Sequence, residues 1–205
     1  MKRSLFPCFI IALAFAAWGC THTEHILLEP DYSEMVNENT RLNMLDTLSF
    51  APGRFSERNT GHDWFISFDK SRNTFNIYLE RPIGEVLFDG VAALVCQSGH
   101  IWSTTDSSSF LIRVRLVDAS AAIEDRFLWI AAPAAIEIAL DFVERKSGNI
   151  VYTQLYQGNA EQTRFWGSLS FLGDSIGEAI VNCIREVGAD EELVNALRES
   201  ASEPE

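Results

Sequence analysis

Between residues 46 and 79 apolar and polar positions alternate with a period of two, the mark of strands buried on one face. A first run covers 46–51. Trp64, Ile66 and Phe68, then Phe75, Ile77 and Leu79, stand on either side of the turn residues 69–73, and this predicts a hairpin. After Pro82 the period lengthens. Ile83, Val86, Leu87, Val91, Leu94 and Val95 recur at helical spacing and Gly99 ends the run, so one helix is expected over 83–98.

Alternation returns at Phe110, Ile112, Val114 and Leu116, again at Ile136, Ile138, Leu140 and Phe142, and in a third run over 150–156 after the turn residues 146–149. Short connections of this kind join antiparallel strands. Ser175 and Glu178 have the spacing of a capping box ahead of Ile176, Ile180, Cys183, Ile184 and Val187, which share one helical face up to Gly188. Asp190 is the expected N-cap of a short terminal helix. One-faced strands and one-striped helices satisfy each other by stacking. The expected fold is therefore α+β: a two-layer sandwich with a mostly antiparallel sheet, two long helices on one face and a short C-terminal helix. It forms a single domain over 46–200 with a disordered tail at 201–205.

The first nineteen residues have a different character. Lys2 and Arg3 precede an apolar run from Leu5 to Trp18, and Gly19-Cys20 follows. A basic start, an apolar stretch and a small residue make a secretory signal peptide over 1–19. A cysteine directly after the small residue makes Cys20 the candidate for lipidation, with acyl chains such as palmitate as the membrane anchor. The apolar run falls short of the roughly 20 residues that span a bilayer. Residues 20–45 are polar and acidic and contain Pro30, which predicts a lipidated N-terminus followed by a flexible tether; His22 and His25 in it are read as solvent-exposed.

The chain has 16 basic and 29 acidic residues, and loss of Lys2 and Arg3 with the signal peptide leaves 14 against 29, a charge of −15. Nucleic acid is excluded as a partner, because a phosphate backbone needs a basic footprint. Beyond Cys8 and Cys20, only Cys96 and Cys183 remain, and the sequence leaves open whether they are bridged. Cys96 and His100 form a C-x3-H pair, but no second pair at metal-binding spacing accompanies it, so no metal or other cofactor is expected. His100 is read instead as sitting at the exit of its helix, where an imidazole suits the negative end of the dipole.

Gly173-Asp174-Ser175-Ile176-Gly177 matches G-x-S-x-G, the nucleophile elbow, and its Gly-Asp-Ser-Ile core resembles the GDS block of SGNH esterases. A serine nucleophile needs a base, which both families place after the serine. Here all four histidines precede Ser175, and the helix-cap role explains the residue locally. The chain is therefore expected not to be an enzyme, with a lipid-anchored serine hydrolase using Ser175 as the alternative. Trp102, Trp129 and Trp166 stand near the ends of predicted elements and are candidate partner-binding residues.

Several segments together carry a family resemblance. Ile77-Tyr78-Leu79 leads into the 82–95 helix, and the 110–116 strand and Ala135-Ile136-Glu137-Ile138-Ala139-Leu140 with the Gly148 turn follow. Tyr156-Gln157-Gly158, the closing helix over 176–187 and Asp190-Glu191-Glu192-Leu193 complete the set. In this order the chain resembles the YajG-type bacterial lipoproteins, and it is similar also to auxiliary lipoproteins of lipid-transport ABC systems. The resemblance implies a lipid-anchored protein of the cell envelope, and Thr21 rather than Asp after Cys20 resembles the outer-membrane sorting pattern of enteric bacteria, so an outer-membrane protein facing the periplasm is expected. Its implied role is non-catalytic, in envelope assembly or lipid transport, with an envelope protein or a lipid as partner.

Overall fold

The structure, a computed structural model, describes residues 21–57, 65–70, 73–103, 107–126, 128–165 and 170–202. In chain order the strands are β1 (Thr21–Ile26), β2 (Ser49–Glu57), β3 (Phe65–Lys70), β4 (Asn73–Leu79), β5 (Ile101–Trp102), β6 (Phe110–Ala121), β7 (Glu124–Arg126), β8 (Trp129–Glu144) and β9 (Ile150–Arg164). Helix α1 is Ile83–Gln97, α2 is Ser170–Ala189 and α3 is Glu191–Ser202. The α+β class expected from the alternation holds.

The main sheet runs β5-β2-β6-β8, with β9 on the far edge of β8. Strands β6 and β7 follow one another along the same edge of β8, because β9 occupies the other. Strands β6 to β9 are antiparallel, as expected, whereas β2 lies parallel to both β5 and β6. Phe110, Ile112, Val114 and Leu116 of β6 point inward and Arg113 and Arg115 outward, so the period-two pattern describes a half-buried strand. Ala132, Ala134, Ile136, Ile138, Leu140 and Phe142 of β8 continue that inner face. Helix α1 packs on β2, β5 and β6, and α2 packs on β8 and β9.

The second sheet, β1-β4-β3, was only half foreseen. The β3–β4 hairpin is present, with Phe68 opposite Phe75 and Lys70 opposite Asn73. Its third member is β1, parallel to β4 with Thr21 opposite Thr74 and Ile26 opposite Leu79. The segment expected to be a flexible tether is thus built into the fold. Beyond β1 it continues as a strap along both helices. Leu28 and Met35 are buried, and the Tyr32 hydroxyl donates to the Val86 carbonyl at 2.7 Å. Gln97 accepts from the Met35 amide at 2.9 Å and donates to the Tyr32 carbonyl at 2.6 Å. Arg185 donates twice to the Glu34 carbonyl, at 3.1 and 2.7 Å, and the Arg41 amide donates to the Gly188 carbonyl at 2.7 Å. The sequence hides this segment because, apart from the Tyr32 hydroxyl, these hydrogen bonds run through its own backbone, which carries no hydropathy signal.

Two glycines matter for geometry. Gly99, at φ +87°, turns the chain out of α1, and Gly148, at φ +72°, closes the β8–β9 hairpin through a 2.9 Å bond to the Glu144 carbonyl. Gly158 matters for space instead: a Cβ there would run into the Ala179 carbonyl and the Cys183 amide of α2. Backbone meets backbone at that point, so neither side has a flexible group to move. Gly158→Ala is expected to destabilise the fold by about 2–3 kcal/mol through overpacking, read as a lower denaturant midpoint in equilibrium unfolding.

Candidate functional site

Ser175 lies inside a helix rather than at its start. Helix α2 begins at Ser170, so Ser175 cannot be the N-cap and the capping box with Glu178 does not form. The Ser175 side chain has no accessible surface and its hydroxyl donates to the Ala132 carbonyl of β8. Glu178 instead accepts from Gln162 of β9 at 2.6 Å. Both side chains tie α2 to the sheet, a cross-layer role that spacing within one helix cannot disclose.

His100 is buried rather than placed at the helix dipole. Its Nδ1 accepts from the Leu48 amide at 3.2 Å, its Nε2 faces the Leu42 carbonyl at 3.0 Å, and its ring stands edge-on to Phe50 at 5.7 Å. Both nitrogens are thereby occupied, and Cys96, one helical turn away in sequence, is exposed. Cys96 and Cys183 are both free thiols. Cys183 donates to the Tyr156 carbonyl at 3.4 Å, and burial pushes its pKa up to about 12, so it is a core thiol rather than a nucleophile. His25 is exposed, as expected, and stacks on Tyr78 at 5.4 Å.

Asp190 is the N-cap it was expected to be, accepting from the Glu192 and Leu193 amides at 2.9 and 3.1 Å. Its second oxygen accepts from the hydroxyls of Tyr152 and Tyr156 at 2.8 and 2.7 Å. Burial first, and the Asp190 carboxylate second, hold both phenols protonated well above their ordinary range.

Cys20 and Trp166 lie outside the described residues. Thr21, the residue after Cys20, is already the first of β1. Trp102 and Trp129 do not share a surface. Trp102 is half-buried on the edge strand β5, at the end of the sheet where β2 and β6 begin. Trp129 starts β8 at the opposite end, about 50 Å away along that strand at ~3.3 Å per residue. Around Trp129 the structure gathers residues that sequence reading passed over. Leu128 precedes it in the β7–β8 turn, and Phe165 follows the last residue of β9. They are 58% and 72% exposed, and Trp129 is 43% exposed. Trp129, Thr163, Arg164 and Phe165 line one shallow depression of about 330 Å³. Beside it Arg126 bridges Glu124 and Glu161, each at 2.8 Å, and Arg164 pairs with Asp174 at 2.9 Å. The tip is therefore apolar with internally neutralised cations. Leu128 stands in the apolar run Phe127-Leu128-Trp129-Ile130 and Phe165 precedes Trp166 in sequence, and the pairing of Ile130 with Arg164 brings the two runs together.

The sequence matches no protein-family model, and it matches no curated protein. The architecture does have relatives. It is similar to the crystal structure of a DUF330 protein from Xanthomonas campestris, with TM-score 0.58 and 9% identity over 90% of this chain and 100% of that one. That likeness establishes a shared fold. A hypothetical protein from Chlamydia trachomatis, CT253, is similar at TM-score 0.48 and 8% identity, over 74% of this chain and 98% of that one. A minor lipoprotein from Acinetobacter baumannii is similar at 0.39 and 5%, over 75% and 94%. Superposition that loose carries no argument.

The buried His100 has a pH consequence. Burial holds its folded pKa below the ordinary 6.5, and the hydrogen bond to Leu42 only partly opposes this. The unfolded chain therefore binds the proton first. The stability of the neutral ring is present above the unfolded value and is lost as pH falls through it toward the folded one. The melting temperature is expected to fall between about pH 7.5 and about pH 5 more steeply in the wild type than in His100→Asn, which keeps polar atoms but cannot titrate there. Equal slopes would remove His100 as the cause.

Proposed function

We propose that this chain is a lipid-anchored lipoprotein of the bacterial cell envelope, acylated at Cys20. It faces the periplasm from the outer membrane and serves a non-catalytic binding or accessory role in envelope assembly or lipid transport. The observation that carries the reading is β1 at Thr21–Ile26, which puts a strand of the fold directly after the candidate anchor. The signal-like segment 1–19 ending in Gly19-Cys20 supports it from the sequence side. Affinity with the YajG-type lipoproteins belongs to this proposal. The partner is an envelope protein or a lipid, and the acidic surface argues against nucleic acid.

The alternative, a lipid-anchored hydrolase using Ser175, requires an accessible hydroxyl beside a base. The buried donation from Ser175 to Ala132 supports the non-catalytic reading instead.

Mass spectrometry of the protein from native membranes is expected to show a mature N-terminus at Cys20 carrying acyl chains, lost in Cys20→Ala. An unmodified, freely soluble mature chain would overturn the anchor. Serine-reactive fluorophosphonate is expected to leave the folded protein unlabelled. Labelling that disappears in Ser175→Ala would overturn the non-catalytic role.

A further inference from the structure

The end of β1 and the apolar tip lie at the same end of the molecule. Helix α2 runs antiparallel to β9: Asp174 pairs with Arg164, Glu178 with Gln162, Cys183 with Tyr156, and Asp190 with Tyr152. Its N-terminus therefore sits where β9 ends and β8 begins, beside Trp129 and Phe165. Ile26, the last residue of β1, reaches α2 at that N-terminal turn, where its side chain would meet a Cβ on Gly173. From there the strap follows α2 toward its C-terminus, with Pro30 at Gly177, Glu34 at Arg185 and Arg41 at Gly188. Among the described residues the three-stranded sheet meets the main sheet between β3 and β6. β1 thus ends, at Ile26, at the end of the molecule that also presents Leu128, Trp129 and Phe165.

We infer that this end rests on the bilayer and that Leu128, Trp129 and Phe165 enter its interfacial layer, giving the anchored domain one fixed orientation. The inference rests on the anchor reading above. A bilayer is the occupant that the anchor selects: an acylated Cys20, at the far end of the six-residue strand β1, holds this end within about 20 Å of lipid, the length of that strand at ~3.3 Å per residue. The chemistry fits, since an indole flanked by leucine and phenylalanine suits the boundary between headgroup and acyl chain. The arginines of the tip are already paired with Glu124, Glu161 and Asp174, so entry relies on apolar burial and does not require anionic lipid.

The test uses residues 20–205 with Cys20→Ser and an N-terminal hexahistidine, held on phosphatidylcholine vesicles through a nickel-chelating lipid, so that it does not depend on natural acylation. Two forms are compared, each with one tryptophan. W64F/W102F/W166F keeps Trp129, and W64F/W129F/W166F keeps Trp102 at the opposite end. Dibrominated phosphatidylcholine is expected to quench Trp129 and shift its emission to the blue, while Trp102 is unaffected. If these variants fail to fold, the otherwise wild-type chain is compared with Trp129→Phe, whose quenchable emission is expected to be smaller. Trp129 emission unchanged by the brominated lipid would overturn the inference. So would a concentration-dependent dimer that protects Trp129 without quenching, which would assign the tip to a second copy. Absence of acyl chains on the native protein, by contrast, would sink the anchor reading and leave this result standing.

Discussion

The approach of α2 to β9 at Gly158 is the constraint from which the remaining layers take their positions. With hydrogen in place of a side chain, the helix backbone lies directly on the strand, close enough for Cys183 to donate to the Tyr156 carbonyl. That seat fixes the helix antiparallel to the strand. Ser175 is carried under Ala132 at one end and Asp190 under the two tyrosines at the other. Helix α1 is then set against α2, where Gly90 admits Ile184 and the ring of Tyr32. The strap closes over the pair, using carbonyls of Tyr32 and Glu34 as acceptors for Gln97 and Arg185. A hydrophobic pattern supplies the adhesive for such an assembly, but a missing side chain supplies its register.

Much of the architecture is legible in the chain, and the failures have physical causes. Helix α1, the β3–β4 hairpin, β6, the inner face of β8, the Gly148 turn and the Asp190 cap follow from periodicity and turn chemistry, because each is satisfied within a local window. Strand β1 escaped because Thr-His-Thr-Glu-His-Ile has no apolar alternation and pairs with a strand more than fifty residues later. The distal halves of β8 and β9 escaped for a related reason. Alanines dominate one and polar residues the other, and pairing between them rather than burial of large side chains keeps both extended.

The candidate site was legible only in part. Trp129 was chosen for its position near an element end, and it is exposed; Trp102, chosen on the same ground, packs against the core. Leu128 and Phe165 each stand in a short apolar run, but their proximity comes from β-pairing across thirty-odd residues, which a local pattern does not disclose. Ser175 shows the opposite failure. A short motif offered two local explanations, cap and nucleophile, while the hydroxyl serves a carbonyl in the other layer.

The strap sets an order of events for the chain itself. The guanidinium that holds Glu34 belongs to Arg185, 151 residues downstream, and β1 needs β4 before it has any edge to pair with. Contacts of such sequence separation form late, because their loop-closure entropy must be met before they return any stabilisation. A chain emerging from its N-terminus therefore leaves β1 unpaired until β4 has been delivered, and leaves Glu34 unheld until α2 has followed. The strap, among the first segments to be made, is thus among the last to be fastened.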